Sequence, residues 1–87
     1  MAYTVSIKPK AEKYLAGLRD VRLYLRLRKA IRALAGNPRP PGSVKMQGED
    51  ELYRIRVGEY RIVYQIQDEV LVVLVVRIGH RREIYRQ

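Results

Sequence analysis

Residues 52–85 read LYRIRVGEYRIVYQIQDEVLVVLVVRIGHRREIY, and this stretch decides the fold because it has the pattern of three antiparallel strands. The step Gly58-Glu59 predicts a two-residue hairpin turn with glycine at the first central position, which a type II′ turn prefers. The predicted cross-strand pairs are Val57 with Tyr60, Ile55 with Ile62, and Tyr53 with Tyr64. These apolar and aromatic side chains share one face of the ladder, so that face belongs in the core.

The other face of the same hairpin carries cations. Alternation places Arg54, Arg56, Arg61 and Val63 there, with Arg56 directly across from Arg61. Like charges at directly opposed positions destabilise a ladder, so stability does not explain the pair. Because a guanidinium group donates paired hydrogen bonds to phosphate, this face is predicted to bind an anion.

A second turn at Asp68-Glu69 predicts a third strand, VLVVLVV at residues 70–76, which is apolar at every position. That pattern is typical of a central strand covered on both sides, and it is too short to cross a bilayer. The predicted pairs are Ile66 with Leu71, Tyr64 with Val73, Ile62 with Val75, and Arg61 with Val76. A four-residue loop would change the individual pairs but would leave the same side chains on each face of the sheet.

The first half of the chain predicts a strand at Ala2–Ile7 followed by two helices that form an antiparallel hairpin. Pro9 suits the first turn of the first helix, and Asp20 can cap the second. Their inward positions are Ala11, Tyr14, Leu15 and Leu18, then Leu23, Leu27, Ala30, Ile31 and Leu34. Gly36 and Pro38 end the second helix, and residues 37–51 are predicted to be a stiff, polar connection.

Composition limits the kinds of function. The 87 residues make one small domain, and 18 Lys and Arg against 9 Asp and Glu give a net charge of +9. That charge suits a polyanion such as RNA or an acidic partner protein, although a merely solvated basic surface is the alternative. With no cysteine and one histidine, disulfides, a thiolate nucleophile and Cys or His metal clusters are not expected. The start of the sequence leaves no room for a signal peptide, so a cytoplasmic protein is expected.

Further cations lie on the second helix, and each is either a solvated residue or a contact to RNA or the ribosome. The candidates are Arg22, Arg26 and Lys29 on one outward face, Arg28 and Arg32 on another, and Lys45 in the following loop.

The predicted order β, α, α, β, β, β is an α+β domain: an N-terminal strand, then a two-helix antiparallel hairpin packed on one face of a small, mainly antiparallel sheet. Its most specific segments are KPKAEKYLAGL at 8–18, ALAGNPRPPGS at 33–43, LYRIRVGEYRIVY at 52–64 and IGHRREIY at 78–85. In these segments and their order, residues 1–87 resemble the RelE toxins of toxin–antitoxin pairs, within the RelE/ParE superfamily.

The resemblance implies an endoribonuclease that cuts messenger RNA in the ribosomal A site without a metal or cofactor. It also implies silencing by an acidic, RelB-like antitoxin, and no membrane or DNA target for the toxin alone. By similarity, Arg61 would stabilise the phosphate, Arg81 would protonate the leaving group, and Tyr85 would lie near the 2′-hydroxyl.

The match to RelE breaks at Arg54 and Arg56, where the family carries two lysines and one is a proposed general base. An arginine with a pKa above about 12 is a poor base. Either Tyr85 takes the proton, or cleavage relies mainly on orientation and electrostatics, which is the favoured hypothesis. His80 is a further candidate acid or base, and Glu49 and Glu51 precede the sheet without a defined place in the site.

The same face predicts where an antitoxin would bind. Its arginines lie beside Val63, Val72 and Leu74, which suits an acidic amphipathic segment that folds on binding. Two other functions remain open, a ParE-like inhibitor of DNA gyrase and a non-catalytic RNA- or ribosome-binding module. The ParE branch generally lacks the set corresponding to Arg61, Arg81 and Tyr85, which favours RNA cleavage.

Overall fold

The computed structural model describes residues 2–48 and 51–85, without the side chains of Ile84 and Tyr85. Its elements are β1 Thr4–Ile7, α1 Pro9–Ala16, α2 Val21–Ala33, β2 Val44–Lys45, β3 Leu52–Val57, β4 Tyr60–Gln67, β5 Val72–His80 and α3 Arg81–Tyr85. The strands form a sheet in the order β1-β5-β4-β3-β2, with β1 parallel to β5 and the other neighbours antiparallel. The predicted α+β architecture is confirmed, while β2 and α3 were not predicted. Within the described residues, no helix has the length and apolar character needed to span a membrane.

Both helix starts follow the predicted local chemistry. α1 begins at Pro9, and the Asp20 carboxylate accepts a hydrogen bond of 3.2 Å from the Leu23 backbone N–H at the start of α2. The helices are also linked to each other, because Arg28 Nη1 lies 3.2 Å from Glu12 Oε1. Residues from both helices then pack on the same face of the sheet.

The hydrophobic core lies between the helices and that one face of the sheet. Its buried members are Ala11, Leu15, Leu27, Ile31, Leu34, Ile55, Ile62, Tyr64, Ile66, Val73, Val75 and Ile78. Tyr64 is the largest of the fully buried side chains, and its hydroxyl donates a 2.7 Å hydrogen bond to the Pro38 carbonyl. Burial raises the pKa of Tyr64 to about 12, so the hydroxyl stays a donor and holds the proline-rich connection against the sheet.

The β3–β4 hairpin has the register expected from its sequence. The observed pairs are Val57 with Tyr60, Ile55 with Ile62, Tyr53 with Tyr64, and Arg56 with Arg61. Gly58 has a φ of +60°, the left-handed value that the first central position of a type II′ turn needs. The prediction of an aromatic core face and an arginine-bearing outer face is therefore confirmed for these two strands.

The β4–β5 register differs from the prediction in two ways. The loop has four residues, so Ile66 pairs with Val73 and Tyr64 with Val75. A β-bulge between Val63 and Tyr64 then shifts the ladder, so that Ile62 pairs with Ile78 and Arg61 with Gly79. The predicted pairs Ile66 with Leu71, Tyr64 with Val73, Ile62 with Val75, and Arg61 with Val76 are therefore wrong. In an unbroken run of valine and leucine, no polar residue marks where the extra residue lies.

β5 is an interior strand between β1 and β4, as its apolar sequence predicted. Its core-side residues Val73 and Val75 are fully buried, but Val72, Leu74 and Val76 are only half-buried. The expectation that this strand is covered on both sides is therefore wrong for its outer side. A partly accessible apolar strip remains beside the arginines.

A polar network ties the far end of the sheet together. Arg39 Nη2 lies 2.8 Å from Asp68 Oδ2, and Arg39 Nε donates a 3.1 Å hydrogen bond to the Tyr53 hydroxyl. The Tyr3 hydroxyl donates to Asp68 Oδ1 at 2.5 Å. These hydrogen bonds from Arg39 and Tyr3 hold the pKa of the Asp68 carboxyl below its ordinary value. The network joins the residue before β1, strand β3, the β4–β5 loop and the proline-rich connection.

Candidate active site

The outer face of the sheet carries a set of arginines that strand alternation brings together. We call it the arginine face; its members are Arg54 and Arg56 on β3, Arg61 on β4 and Arg77 on β5. Arg56 is exposed, and Arg54 and Arg77 are half-buried. Three of the four were predicted to lie on this face.

Arg61 occupies the most enclosed position of the set. Only 6% of its surface is exposed, and the neighbouring Val63 is 4% exposed although it points away from the helices. In register, Arg61 has Arg56 on one side and Gly79 on the other. Charge interactions strengthen in such a partly desolvated place, so a phosphate held there would feel this guanidinium strongly.

Arg77 was not predicted to lie on the arginine face. Simple alternation from Val73 and Val75 puts residue 77 on the core face, whereas the bulge moves Arg77 to the outer face opposite Val63. Arg54 lies on the other side of Val63, so two half-buried arginines flank one buried valine. The sequence contains one indication of the bulge. Without it, an arginine at position 77 would be a buried, uncompensated charge on the core face of a central strand.

Arg81 follows directly after β5 and is joined to the β3–β4 turn. Its backbone N–H donates a 2.8 Å hydrogen bond to the Glu59 carbonyl, and its Nε lies 2.9 Å from Glu59 Oε2. Both side chains remain partly exposed, at 44% for Arg81 and 57% for Glu59. The turn that separates Arg56 from Arg61 therefore also holds Arg81. Glu59 had no predicted role.

His80 is the last residue of β5, directly before α3, and its contacts there hold the two elements together. Its Nδ1 accepts a 3.3 Å hydrogen bond from the Arg82 backbone N–H, and the backbone N–H of His80 donates to Glu83 Oε1 at 2.8 Å. The ring packs edge-on against Tyr60, its cross-strand partner, at a centroid distance of 5.4 Å. Because Tyr60 and Arg61 alternate, His80 lies on the opposite side of the sheet from Arg61. This placement favours a capping role over an acid or base role.

The start of α3 is also anchored to α1. Tyr14 of α1 is half-buried, and burial together with the Glu83 carboxylate raises its pKa to about 12. Glu83 thus contacts both the strand end at His80 and the first helix. These contacts fix the backbone from which Arg81 projects.

The three remaining candidates for an acid or base are Tyr85, Glu49 and Glu51, and none of them has a described side chain in the site. Tyr85 ends α3, but its side chain lies outside the described part of the chain, as does all of Glu49. Glu51 precedes β3, at the end of that strand remote from the Gly58 turn. Glu51 is therefore separated from Arg81 by the length of the strand.

The basic residues of α2 divide into two groups. Arg22, Arg26, Lys29 and Arg32 are exposed, as is Lys45 on β2. Arg28 is half-buried, paired with Glu12, and its guanidinium carbon lies 5.7 Å from the centre of the Tyr24 ring. Arg28 is therefore engaged within the helical hairpin, and the exposed group is better placed for a partner.

Two of those exposed arginines lie close to the Glu59 turn. An open cavity of about 510 Å³ separates the start of α2 from the β3–β4 turn, and Arg22, Arg26 and Glu59 are among its lining residues. A Cβ atom added to Gly58 would lie 3.4 Å from Arg26 Nη2, so the Arg26 guanidinium rests over the turn. The exposed arginines at the start of α2 thus lie beside the turn whose Glu59 pairs with Arg81.

Comparison with known proteins agrees with this architecture. Residues 5–85 match the family model described as the ParE toxin of the type II toxin–antitoxin system parDE. The toxin RelG of Mycobacterium tuberculosis is 31% identical over 87 residues, covering 100% of both chains.

Solved structures of RelE proteins share the fold of this chain. The RelE–RelB complex of Pyrococcus horikoshii OT3 contains a chain with a TM-score of 0.81 and 28% identity, covering 93% of this chain and 97% of that one. The intact RelBE toxin–antitoxin complex of Escherichia coli contains one with a TM-score of 0.79 and 30% identity, covering 91% and 96%. By its matched sequence and its fold, the chain belongs to the RelE/ParE superfamily, as a type II toxin–antitoxin toxin of the RelE family.

Proposed function

We propose that this toxin is a metal-independent endoribonuclease that cuts messenger RNA in the ribosomal A site, in the cytoplasm. The observation that carries the proposal is the directly opposed pair Arg56 and Arg61, with Arg81 tied to the same hairpin turn. Such a like-charge pair costs folding free energy, and binding a phosphate would offset that cost.

The proposed reaction is a transesterification within the RNA strand. The ribose 2′-oxygen attacks the adjacent phosphorus, the bond from phosphorus to the 5′-oxygen breaks, and the products are a 2′,3′-cyclic phosphate and a 5′-hydroxyl. A proton leaves the 2′-hydroxyl, and another reaches the 5′-oxygen. In this scheme Arg61 offsets the charge that develops on the phosphoryl oxygens, and Arg81 serves the leaving oxygen.

This chain departs from the family pattern at the group that would accept the proton from the 2′-hydroxyl. Arginine is a poor general base, so Arg54 and Arg56 are not assigned this role. We therefore assign most of the catalysis to orientation and to the electrostatic effect of the arginine face, with the Tyr85 phenol as the alternative base. The enclosure of Arg61, at 6% exposure, supports a strong electrostatic contribution.

Ribosomal RNA would be contacted by the exposed cations of α2 and β2. Arg22 and Arg26 line the cavity beside the Glu59 turn, so RNA bound there would lie next to Arg81. Lys29, Arg32 and Lys45 would extend the contact. Phosphate contacts of this kind make binding strongly salt-dependent.

An acidic, RelB-like antitoxin is the proposed inhibitory partner. Two of the structural relatives are in complexes whose names include RelB or RelBE. In this chain the half-buried Val72 and Leu74 lie beside the arginines of the outer face. An acidic amphipathic segment could cover both parts together.

Gyrase inhibition is the second candidate, because the matching family model is described as a ParE toxin. Primer extension on messenger RNA in a reconstituted translation system separates the two candidates. We expect cuts within codons that require ribosomes, and we expect Arg61→Lys to weaken them because lysine lacks the planar fork. Lys13→Ala removes an exposed cation of α1 outside both the arginine face and the α2 surface; this control should cut normally. Absence of cuts together with inhibited DNA supercoiling would refute the nuclease and support the gyrase function.

A further inference from the structure

We infer that Glu59 is a positioning residue that orients the Arg81 guanidinium for the leaving group, an inference that rests on the proposed nuclease function. Two separate contacts link the residues: the 2.8 Å backbone hydrogen bond from the Arg81 N–H to the Glu59 carbonyl, and the 2.9 Å contact between Arg81 Nε and Glu59 Oε2. The first fixes the main chain of Arg81 and the second fixes its side chain.

The geometry of the side-chain contact leaves Arg81 able to bind a phosphate. An arginine has five N–H groups, and the atom of Arg81 that lies against Glu59 Oε2 in the ion pair is Nε. The end of the guanidinium, with one N–H from each of Nη1 and Nη2, points away from the Nε edge. One edge can therefore be held by Glu59 while another binds the reacting group, as in bidentate recognition of phosphate.

The position of Glu59 in the fold explains why it would matter. It lies in the two-residue turn between β3 and β4, so it is rigidly connected to Arg56 and Arg61. Arg81 comes from a different part of the chain, directly after β5. Without a link, a side chain that is 44% exposed would sample many rotamers. Glu59 thus couples the orientation of Arg81 to the hairpin that carries the other two arginines.

Removal of this link should be harmless to folding, because ion pairs between partly exposed side chains contribute little to stability. Glu59→Ala is therefore expected to melt near the wild-type temperature. Its kcat for ribosome-dependent cleavage should fall about tenfold while KM stays within about twofold, since misplacing a catalytic group lowers the rate of the chemical step. Glu59→Gln keeps an oxygen acceptor for Arg81 Nε and should recover most of the lost kcat. Glu69→Ala, an exposed glutamate in the β4–β5 loop, is the matched control.

Two further measurements show whether Glu59 acts through Arg81. If it does, adding Glu59→Ala to an Arg81→Ala variant should lower kcat no further, because the partner to be oriented is already gone. In NMR spectra, the Arg81 Nε proton should exchange slowly with solvent in the wild-type protein and in Glu59→Gln, and rapidly in Glu59→Ala. This second readout does not depend on cleavage.

The outcomes separate the two proposals. If the wild-type protein cuts ribosome-bound messenger RNA and Glu59→Ala cuts it at the same kcat, the positioning role is overturned and the nuclease stands. A raised kcat/KM in Glu59→Ala also overturns it, because the carboxylate would then compete with phosphate for Arg81. If the wild-type protein does not cut, the nuclease proposal fails and the inference fails with it.

Discussion

Arg61, the buried arginine of β4, should support cleavage while lowering the stability of the fold. One substitution tests both effects. Arg61→Met replaces a charged side chain by an apolar one of similar length. Because Arg61 is only 6% exposed and directly opposes Arg56, its charge is both desolvated and repelled by a like charge. We therefore expect the variant to be more stable than the wild-type protein and inactive as a nuclease.

The expected magnitudes follow from these two terms. Relief of the like-charge opposition to Arg56 should increase the free energy of unfolding by up to about 1 kcal/mol. For a domain of 87 residues, that change raises the melting temperature by about 4–8 °C. Loss of one preorganised cation at the developing phosphoryl charge should lower cleavage by about 10²- to 10³-fold.

Thermal melts followed by circular dichroism and cleavage in a reconstituted translation system measure the two effects. Arg56→Met is the comparison variant, because it relieves the same repulsion from the exposed side and should gain less stability. In the double variant the two gains should not add, since either substitution alone removes the repulsion. A melting temperature of Arg61→Met several degrees below that of the wild-type protein would refute the reasoning, because the guanidinium would then be a structural element.

Three further substitutions test other parts of the structure. Tyr64→Phe removes the 2.7 Å hydrogen bond to the Pro38 carbonyl and should lower the free energy of unfolding by about 1–2 kcal/mol; an unchanged melting temperature would contradict the role of this contact. Asp68→Asn removes the carboxylate partner of Arg39 and should be less stable than the wild-type protein at pH 7. Because the folded-state pKa of Asp68 is lowered, its contribution is present above the ordinary value of 3.8 and is lost as the pH falls below it, so melts at pH 7 and pH 3 should show the difference shrinking. Arg77→Ala should raise KM for ribosome-dependent cleavage by about threefold to tenfold with little change in kcat, because it removes a cation from the arginine face outside the opposed pair; an unchanged KM would place Arg77 outside the RNA contact.

The β3–β4 hairpin shows how much local sequence can determine. Alternation of apolar residues and arginines, with Gly58 at the turn, was sufficient for the register and for the direct opposition of Arg56 and Arg61. The Asp20 cap of α2 followed from the same kind of short-range chemistry. In each case the residues that decide the structure are near one another in the chain.

The candidate site required the tertiary structure. The bulge that pairs Arg61 with Gly79 and moves Arg77 to the arginine face lies at the end of a run of valine and leucine, within which neighbouring registers bury similar side chains. The contact between Glu59 and Arg81 depends on that shifted register, and these residues are far apart in sequence. The sequence alone thus determined every element except β2 and α3, the core face and most of the arginine face. Only the packed sheet decided how deeply Arg61 is buried and which carboxylate holds Arg81, because burial and long-range register arise from all the strands together.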